Sequence, residues 1–184
     1  MRPAREYLYN LVTGKIRGPI AVFLRVFLFL LSLIYGLVVI ILVAFYRRKP
    51  VRLGAKVISI GNITLGGTGK TTFVEYLSRL LSSQGKKVAV LSRGYHRNTS
   101  KQGVQSLGDE PAMLQKKLTG VAVIVNKNRI KGASKAIKDY AAQILILDDG
   151  FQQWRIFKDL EIVTIDAADP FGNRRLLPAG FLRE

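Results

Sequence analysis

Residues 57–72 read Val-Ile-Ser-Ile-Gly-Asn-Ile-Thr-Leu-Gly-Gly-Thr-Gly-Lys-Thr-Thr, and no other stretch narrows the possible folds so far. Val57-Ile-Ser-Ile60 predicts a short buried strand. The glycine-rich loop after it leads into a helix that carries Phe73, Leu77, Leu80 and Leu81 on one face and stops at Gly85. The phosphate-loop pattern G-x-x-x-x-G-K-[ST] is met at Gly69, Lys70 and Thr71, while Thr64 stands at its first glycine position. Gly66, Gly67 and Gly69 still allow backbone N–H groups to converge on a phosphate at a helix N-terminus. The candidate nucleotide-binding residues are therefore Thr64, Leu65, Gly66, Gly67, Thr68, Gly69, Lys70 and Thr71. Lys70 is expected on the β/γ oxygens of ATP and the Thr71 hydroxyl on Mg²⁺. A purely structural glycine turn is the competing reading, and a lysine and threonine in register between strand and helix weigh against it.

The rest of the chain supports this setting. Lys87–Leu91, Val121–Val125, Ile144–Leu147 and Leu160–Ile165 read as further strands. Pro111–Leu118 reads as a short helix, and a second helix is striped by Ala133, Ala136, Ile137, Tyr140 and Ala141. Ser92–Gly103 is a polar loop. Aliphatic strands alternating with helices predict an α/β fold of the P-loop NTPase type, a mostly parallel sheet with flanking helices. Ile144-Leu-Ile-Leu147 then delivers Asp148 and Asp149 to the carboxyl edge of that sheet, where one carboxylate can hold Mg²⁺. An Asp-Gly surface turn is the plainer alternative.

A second feature divides the chain. From Val26 to Tyr46 there are 21 residues without a charge, enough for one helical crossing of a hydrocarbon core roughly 30 Å thick. Arg25 stands on one side and Arg47-Arg48-Lys49 on the other, with Tyr46 at the boundary. A cleaved signal peptide would end in small residues, whereas this run ends in Phe-Tyr-Arg-Arg. Residues 1–49 are thus expected to form a membrane anchor with basic flanks, and residues 50–184 a P-loop kinase domain. Whether the anchor spans the bilayer or lies in its interface is open. Charge also matters here: the formal net charge is +17, and residues 1–56 hold ten Lys/Arg against Glu6 alone. Cations beside an apolar segment suit anionic membrane lipids. No basic recognition helix or aromatic-studded basic strand accompanies them, so no nucleic-acid partner is expected. The absence of cysteine excludes disulfides and thiolate metal sites.

Five motifs occur in order: GNITLGGTGKT at 61–71, SRGY at 92–95, GDEP at 108–111, DDGFQ at 148–152 and LLPAG at 176–180. Together with an N-terminal membrane helix they resemble the tetraacyldisaccharide 4'-kinase family of lipid A biosynthesis. The resemblance implies Mg-ATP-dependent phosphorylation of the 4'-hydroxyl of an acylated glucosamine disaccharide 1-phosphate, at the cytoplasmic face of the inner membrane. It implies that Asp109 is the base accepting the hydroxyl proton, with Glu110 supporting it, and that Arg93 and Tyr95 lie at the rim, where Arg93 can pair with phosphate. It further implies that Asp148 and Asp149 organise Mg²⁺ together with Thr71, close to Gln152. Without it, Asp109 and Glu110 read as helix-capping residues ahead of Pro111. His96, where the family more often has glycine, reads as a loop residue, and Thr72 stands where the family often has proline. Family chains are longer, with a C-terminal lobe that supplies a histidine partner for the catalytic aspartate. Residues 1–184 are therefore expected to correspond to the N-terminal portion. The alternatives are a membrane-associated regulatory ATPase of the partitioning type, whose signature lysine is missing from positions 64–66, and a truncated nucleotide-binding protein without turnover.

Overall fold

Five strands, all parallel, carry the fold: β1 (Lys56–Gly61), β2 (Val88–Ser92), β3 (Ala122–Val125), β4 (Ile144–Asp148) and β5 (Leu160–Val163), in the order β3-β2-β4-β1-β5. The computed structural model describes residues 2–94 and 109–184, with side chains from Glu6 onward and, past the gap, from Pro111. The chain divides into two units, one of residues 1–48, 63–66 and 165–184, the other of residues 49–62 and 67–164.

The second unit contains the sheet and the helices α3 (Lys70–Ser83), α4 (Asp109–Lys117) and α5 (Arg129–Tyr140). The chain leaves β1 through α3 to reach β2, which lies beyond β4, so α3 packs on β1, β2 and β4. Strand alternation splits the core into two layers. Ile60, Val88, Val90 and Ile146 pack with Val74 of α3 and Leu114 of α4. Val57, Ala89, Leu91, Leu145 and Leu147 pack with Ala133 and Ala136 of α5. Three expected core residues, Leu80, Tyr140 and the exposed Ala141 that follows α5, fall outside these layers. Leu80 is 40% exposed because the buried stripe of α3 runs through Val74 and Ser78, leaving Leu80 at its edge. Tyr140 is 53% exposed because α5 ends there, the chain turning away at Ala141 with φ 49°.

Gly61 closes β1 where the chain after β4 crosses it. A Cβ there would lie 2.5 Å from the Phe151 Cβ and 2.8 Å from the Phe151 nitrogen, so only glycine lets the two segments meet.

At the opposite edge of the sheet, Asp159 ties the start of β1 to the segment before β5. Its carboxylate accepts from the Val57 N–H at 2.8 Å and from Lys56 Nζ at 3.2 Å. The backbone hydrogen bond, and then the lysine, hold its carboxyl below the ordinary carboxylate range. Glu75 on α3 is lowered chiefly by its hydrogen bond with Lys117 and, further, by Arg79. A depressed folded-state pKa stabilises above the unfolded value and is lost as pH falls through the folded one. Melting temperature is therefore expected to decline as pH drops below about 4, the unfolded carboxylate value. In thermal melts between pH 3 and 7, Asp159→Asn should be less stable at neutral pH and less sensitive to acid. A variant as acid-sensitive as the parent would exclude this role.

The first unit holds α1 (Arg2–Val12) and α2 (Pro19–Arg47). Among the described residues α2 is the one helix long and apolar enough to cross a membrane. It is not apolar and exposed all round, however: Ala21, Ser32, Gly36 and Val39 are buried, a stripe at helical spacing. Against that stripe lies part of the 165–184 segment. Leu176 reaches Gly36 so closely that a Cβ there would stand 2.8 Å from its Cδ1, and the Tyr35 hydroxyl donates to the Arg183 carbonyl at 2.8 Å. Leu182 pairs antiparallel with Thr64 and parallel with Leu176, two bridges that join three segments into a short ladder.

Candidate active site

Parallel strands bring all five C-terminal ends to one edge, and the loops leaving them can share a ligand there. The loop after β1 is seen in two parts. Residues 63–66 belong to the first unit, where they are held by main-chain bonds: the Leu65 N–H donates to the Phe181 carbonyl at 2.8 Å and the Arg183 N–H to the Ile63 carbonyl at 2.8 Å. Thr64 is 6% exposed within this ladder. Thr64 and Leu65, read from the sequence as nucleotide-binding, are held here by the chain itself, the Leu65 donor being engaged by Phe181. A Cβ at Gly66, Gly67 or Gly69 would meet nothing within 4 Å, leaving open space over these three residues.

Residues 67–71 belong to the second unit. Gly69 has φ 75°, a left-handed conformation that glycine adopts without strain, and it serves as N-cap of α3 without a side-chain cap. The first-turn N–H groups of α3 are therefore left to an external acceptor. Lys70, the first residue of α3, brings Nζ to 3.8 Å from Asp149 Oδ1, with 16% of its side chain exposed. Asp149 follows β4 directly and has φ 53°, a left-handed conformation unusual for any residue but glycine, asparagine and aspartate. Strain of this kind is retained where the surrounding structure needs a side chain aimed one way. Asp148, the last residue of β4, is 5% exposed and lies on the same sheet face as Ile146, the α3 face.

Three side-chain supports hold this edge, and two of the residues that make them, Thr164 and Arg129, were not singled out from the sequence. The Thr68 and Thr164 hydroxyls lie 2.8 Å apart, and Thr164 donates to the Gly61 carbonyl at 3.1 Å, so the end of β5 braces the loop. Gln152 Nε2 donates to the carbonyl of the buried Asn62 at 3.3 Å. Arg129, 4% exposed, donates to the carbonyls of Asp148 at 3.1 Å and Asn126 at 2.9 Å, pinning the end of β4. Arg129 could have been noticed, since it shares the apolar face of α5 with Ala133 and Ala136 at i, i+4, i+7 spacing.

Arg93 is exposed on the loop leaving β2, the neighbour of β4. The backbone of Asp109 and Glu110 begins α4, which returns the chain from the carboxyl edge to the start of β3. Both residues thus lie at the edge that carries Lys70 and Asp149, while their side chains, with Tyr95, His96 and Gly108, lie outside the described residues.

Comparison with known proteins decides the family. The family model described as LpxK, tetraacyldisaccharide-1-P 4'-kinase, matches residues 24–184. The chain belongs to the LpxK family. A tetraacyldisaccharide 4'-kinase of Halothermothrix orenii is 41% identical, with 97% of this chain and 50% of the relative covered. One from Syntrophus aciditrophicus is 43% identical, over 92% of this chain and 48% of the relative. The chain spans about half the length of the curated relatives it matches. The crystal structure of an LpxK from Aquifex aeolicus, described as an "apo" form in complex with ATP, superposes with a TM-score of 0.76 at 37% identity, covering 88% of this chain and 54% of that one. The likeness to LpxK includes the parallel sheet and its flanking helices.

Proposed function

We propose that the protein transfers the γ-phosphate of ATP to the 4'-hydroxyl of a tetraacylated glucosamine disaccharide 1-phosphate. The observation that carries this reading is the meeting of Lys70 and Asp149 at the uncapped head of α3, in a chain of the LpxK family. The open N-terminus of α3 and the Lys70 ammonium receive phosphate oxygens, and Arg93 meets further phosphate charge at the rim. Thr71, Asp148 and Asp149 offer oxygen donors only, which is the chemistry Mg²⁺ selects. Among the described residues no three carboxylate, histidine or cysteine side chains cluster as a metal site. Mg²⁺ needs no such cluster, because one or two carboxylates suffice when nucleotide phosphates and water complete its shell. When bound, it neutralises charge on the transferred phosphoryl group. Asp109, at the head of α4, orients the acceptor hydroxyl and takes its proton, and Glu110 supports that carboxylate. ATP turnover measured with and without the acylated disaccharide tests the assignment in the full-length protein. Turnover should depend on the acceptor; equal turnover without it would point to a regulatory ATPase.

The acceptor's acyl chains explain the exposed apolar surface of α2. Irregular backbone is tolerated at hydrocarbon depth only when shielded, and Arg175, Leu176 and Arg183 meet the Phe29–Gly36 stretch. This favours a helix that beds one face in the bilayer and keeps the other on its own chain. The globular part stands on the cytoplasmic side, where ATP is. Exposed Phe23, Phe27, Leu30, Ile34, Ile40 and Phe45 make that attachment hydrophobic. Washing membranes with 1 M salt, where screening acts within roughly 3 Å, should leave the protein bound. Full release by salt would make the basic flanks the anchor instead.

A further inference from the structure

A cleft of 340 Å³ opens on the first third of α2, lined by Val22, Arg25, Val26, Phe29 and Arg175. All five residues belong to the first unit. Val22, Val26 and Phe29 are exposed apolar side chains. The Arg175 guanidinium stands 5.5 Å from the Phe29 ring centroid, within cation–π range. Arg25 Nε donates to the Ala21 carbonyl at 3.2 Å, which fixes its head against the helix. Among the described residues neither arginine forms an ion pair with a carboxylate.

Two arginines without a carboxylate partner, in one cleft with three apolar side chains, ask for a ligand with both characters. A soluble anion would leave the apolar wall facing water, and an acyl chain alone would leave the charges uncompensated. A phosphate carried on an acylated amphiphile satisfies both, and the planar guanidinium fork matches phosphate oxygens in pairs. The position agrees with this: Arg25 directly precedes the charge-free run Val26–Tyr46, at the level where headgroups begin.

The ladder favours the acceptor over a bulk phospholipid. The Arg175 carbonyl accepts from the Leu182 N–H at 3.1 Å, and Leu182 pairs with Thr64 in the first part of the phosphate loop. With strands about 4.8 Å apart, two rungs set the Arg175 backbone roughly 10 Å from Thr64. A lipid gripped by Arg175 is gripped by the same framework that shapes residues 63–66. We infer that Arg25 and Arg175 hold the phosphate the acylated acceptor already carries, while Val22, Val26 and Phe29 receive the methylenes next to its headgroup. This rests on the kinase reading above and adds the residues that recognise the acceptor's existing charge.

The test is equilibrium binding, in detergent micelles, of the full-length protein to tetraacyldisaccharide 1-phosphate and to the same lipid with its 1-phosphate removed. The parent should prefer the phosphorylated lipid by about tenfold or more, the scale of one charge-assisted hydrogen bond. Arg25→Gln/Arg175→Gln should lose that preference yet bind Mg-ATP as the parent does, which also reports that it is folded. Arg175→Lys, keeping charge without the fork, should retain part of it. A preference undiminished in the double variant would overturn the inference and leave the kinase reading standing. Phosphatidic acid displacing the acceptor with equal potency would also overturn it, making the cleft a general phospholipid site. Failure of the parent to bind either disaccharide would refute the kinase reading itself.

Discussion

Asp109→Asn is expected to lower acceptor phosphorylation by about 10²–10⁴-fold, the range a positioned general base contributes, while Mg-ATP affinity stays within about twofold of the parent. Asparagine keeps the shape of aspartate and loses its basicity. The placement of Asp109 makes the two effects separable: it heads α4, a different element from the α3 head that carries Lys70. Nucleotide titration alongside single-turnover phosphorylation measures both quantities on one preparation. Changing Asp149 should behave differently, weakening Mg²⁺-dependent nucleotide binding as well as rate, because its carboxylate stands beside Lys70. Near-parental rates for Asp109→Asn would return that residue to a helix-capping role.

Lys70→Ala should weaken Mg-ATP binding by about 10–100-fold, the cost of removing a charge-assisted hydrogen bond from a phosphate. The fold should survive, since no buried apolar contact of the core depends on this side chain. Fluorescent-nucleotide titration gives the affinity, and a melting temperature near that of the parent guards against a trivial explanation. Undiminished affinity would mean that the loop grips something other than nucleotide phosphates.

The legible part of this molecule is the part written in local sequence. Val57–Ile60, Val88–Leu91 and Ile144–Leu147 are aliphatic runs flanked by polar or glycine-rich turns, so their strands and parallel pairing follow from burial on both faces. The loop from Gly66 to Thr71 was readable because glycine, lysine and threonine must occupy set places between strand and helix, and Lys70 does begin α3. Asp149 was readable as the residue leaving β4, although its left-handed backbone was not. What escaped depends on partners distant in sequence. Thr164 braces Thr68 across 96 positions, and Arg129 reaches the Asp148 carbonyl from another element. The ladder of Thr64, Leu182 and Leu176 leaves no periodic trace, because single bridges have no repeating pattern. The same ladder gives the buried stripe on α2 its meaning: Gly36, inside the apolar run, is where Leu176 packs back onto the helix.

The central claim is that the phosphate bound over α3 goes to a sugar hydroxyl of an acylated disaccharide. Incubating the full-length protein with Mg²⁺, γ-labelled ATP and tetraacyldisaccharide 1-phosphate, and locating the label in the lipid product, tests it most directly. The account predicts a bisphosphorylated lipid with the label on the 4' oxygen, and none with the Asp109→Asn protein beyond a trace. Label recovered only as inorganic phosphate, or attached at another position of the lipid, would contradict it.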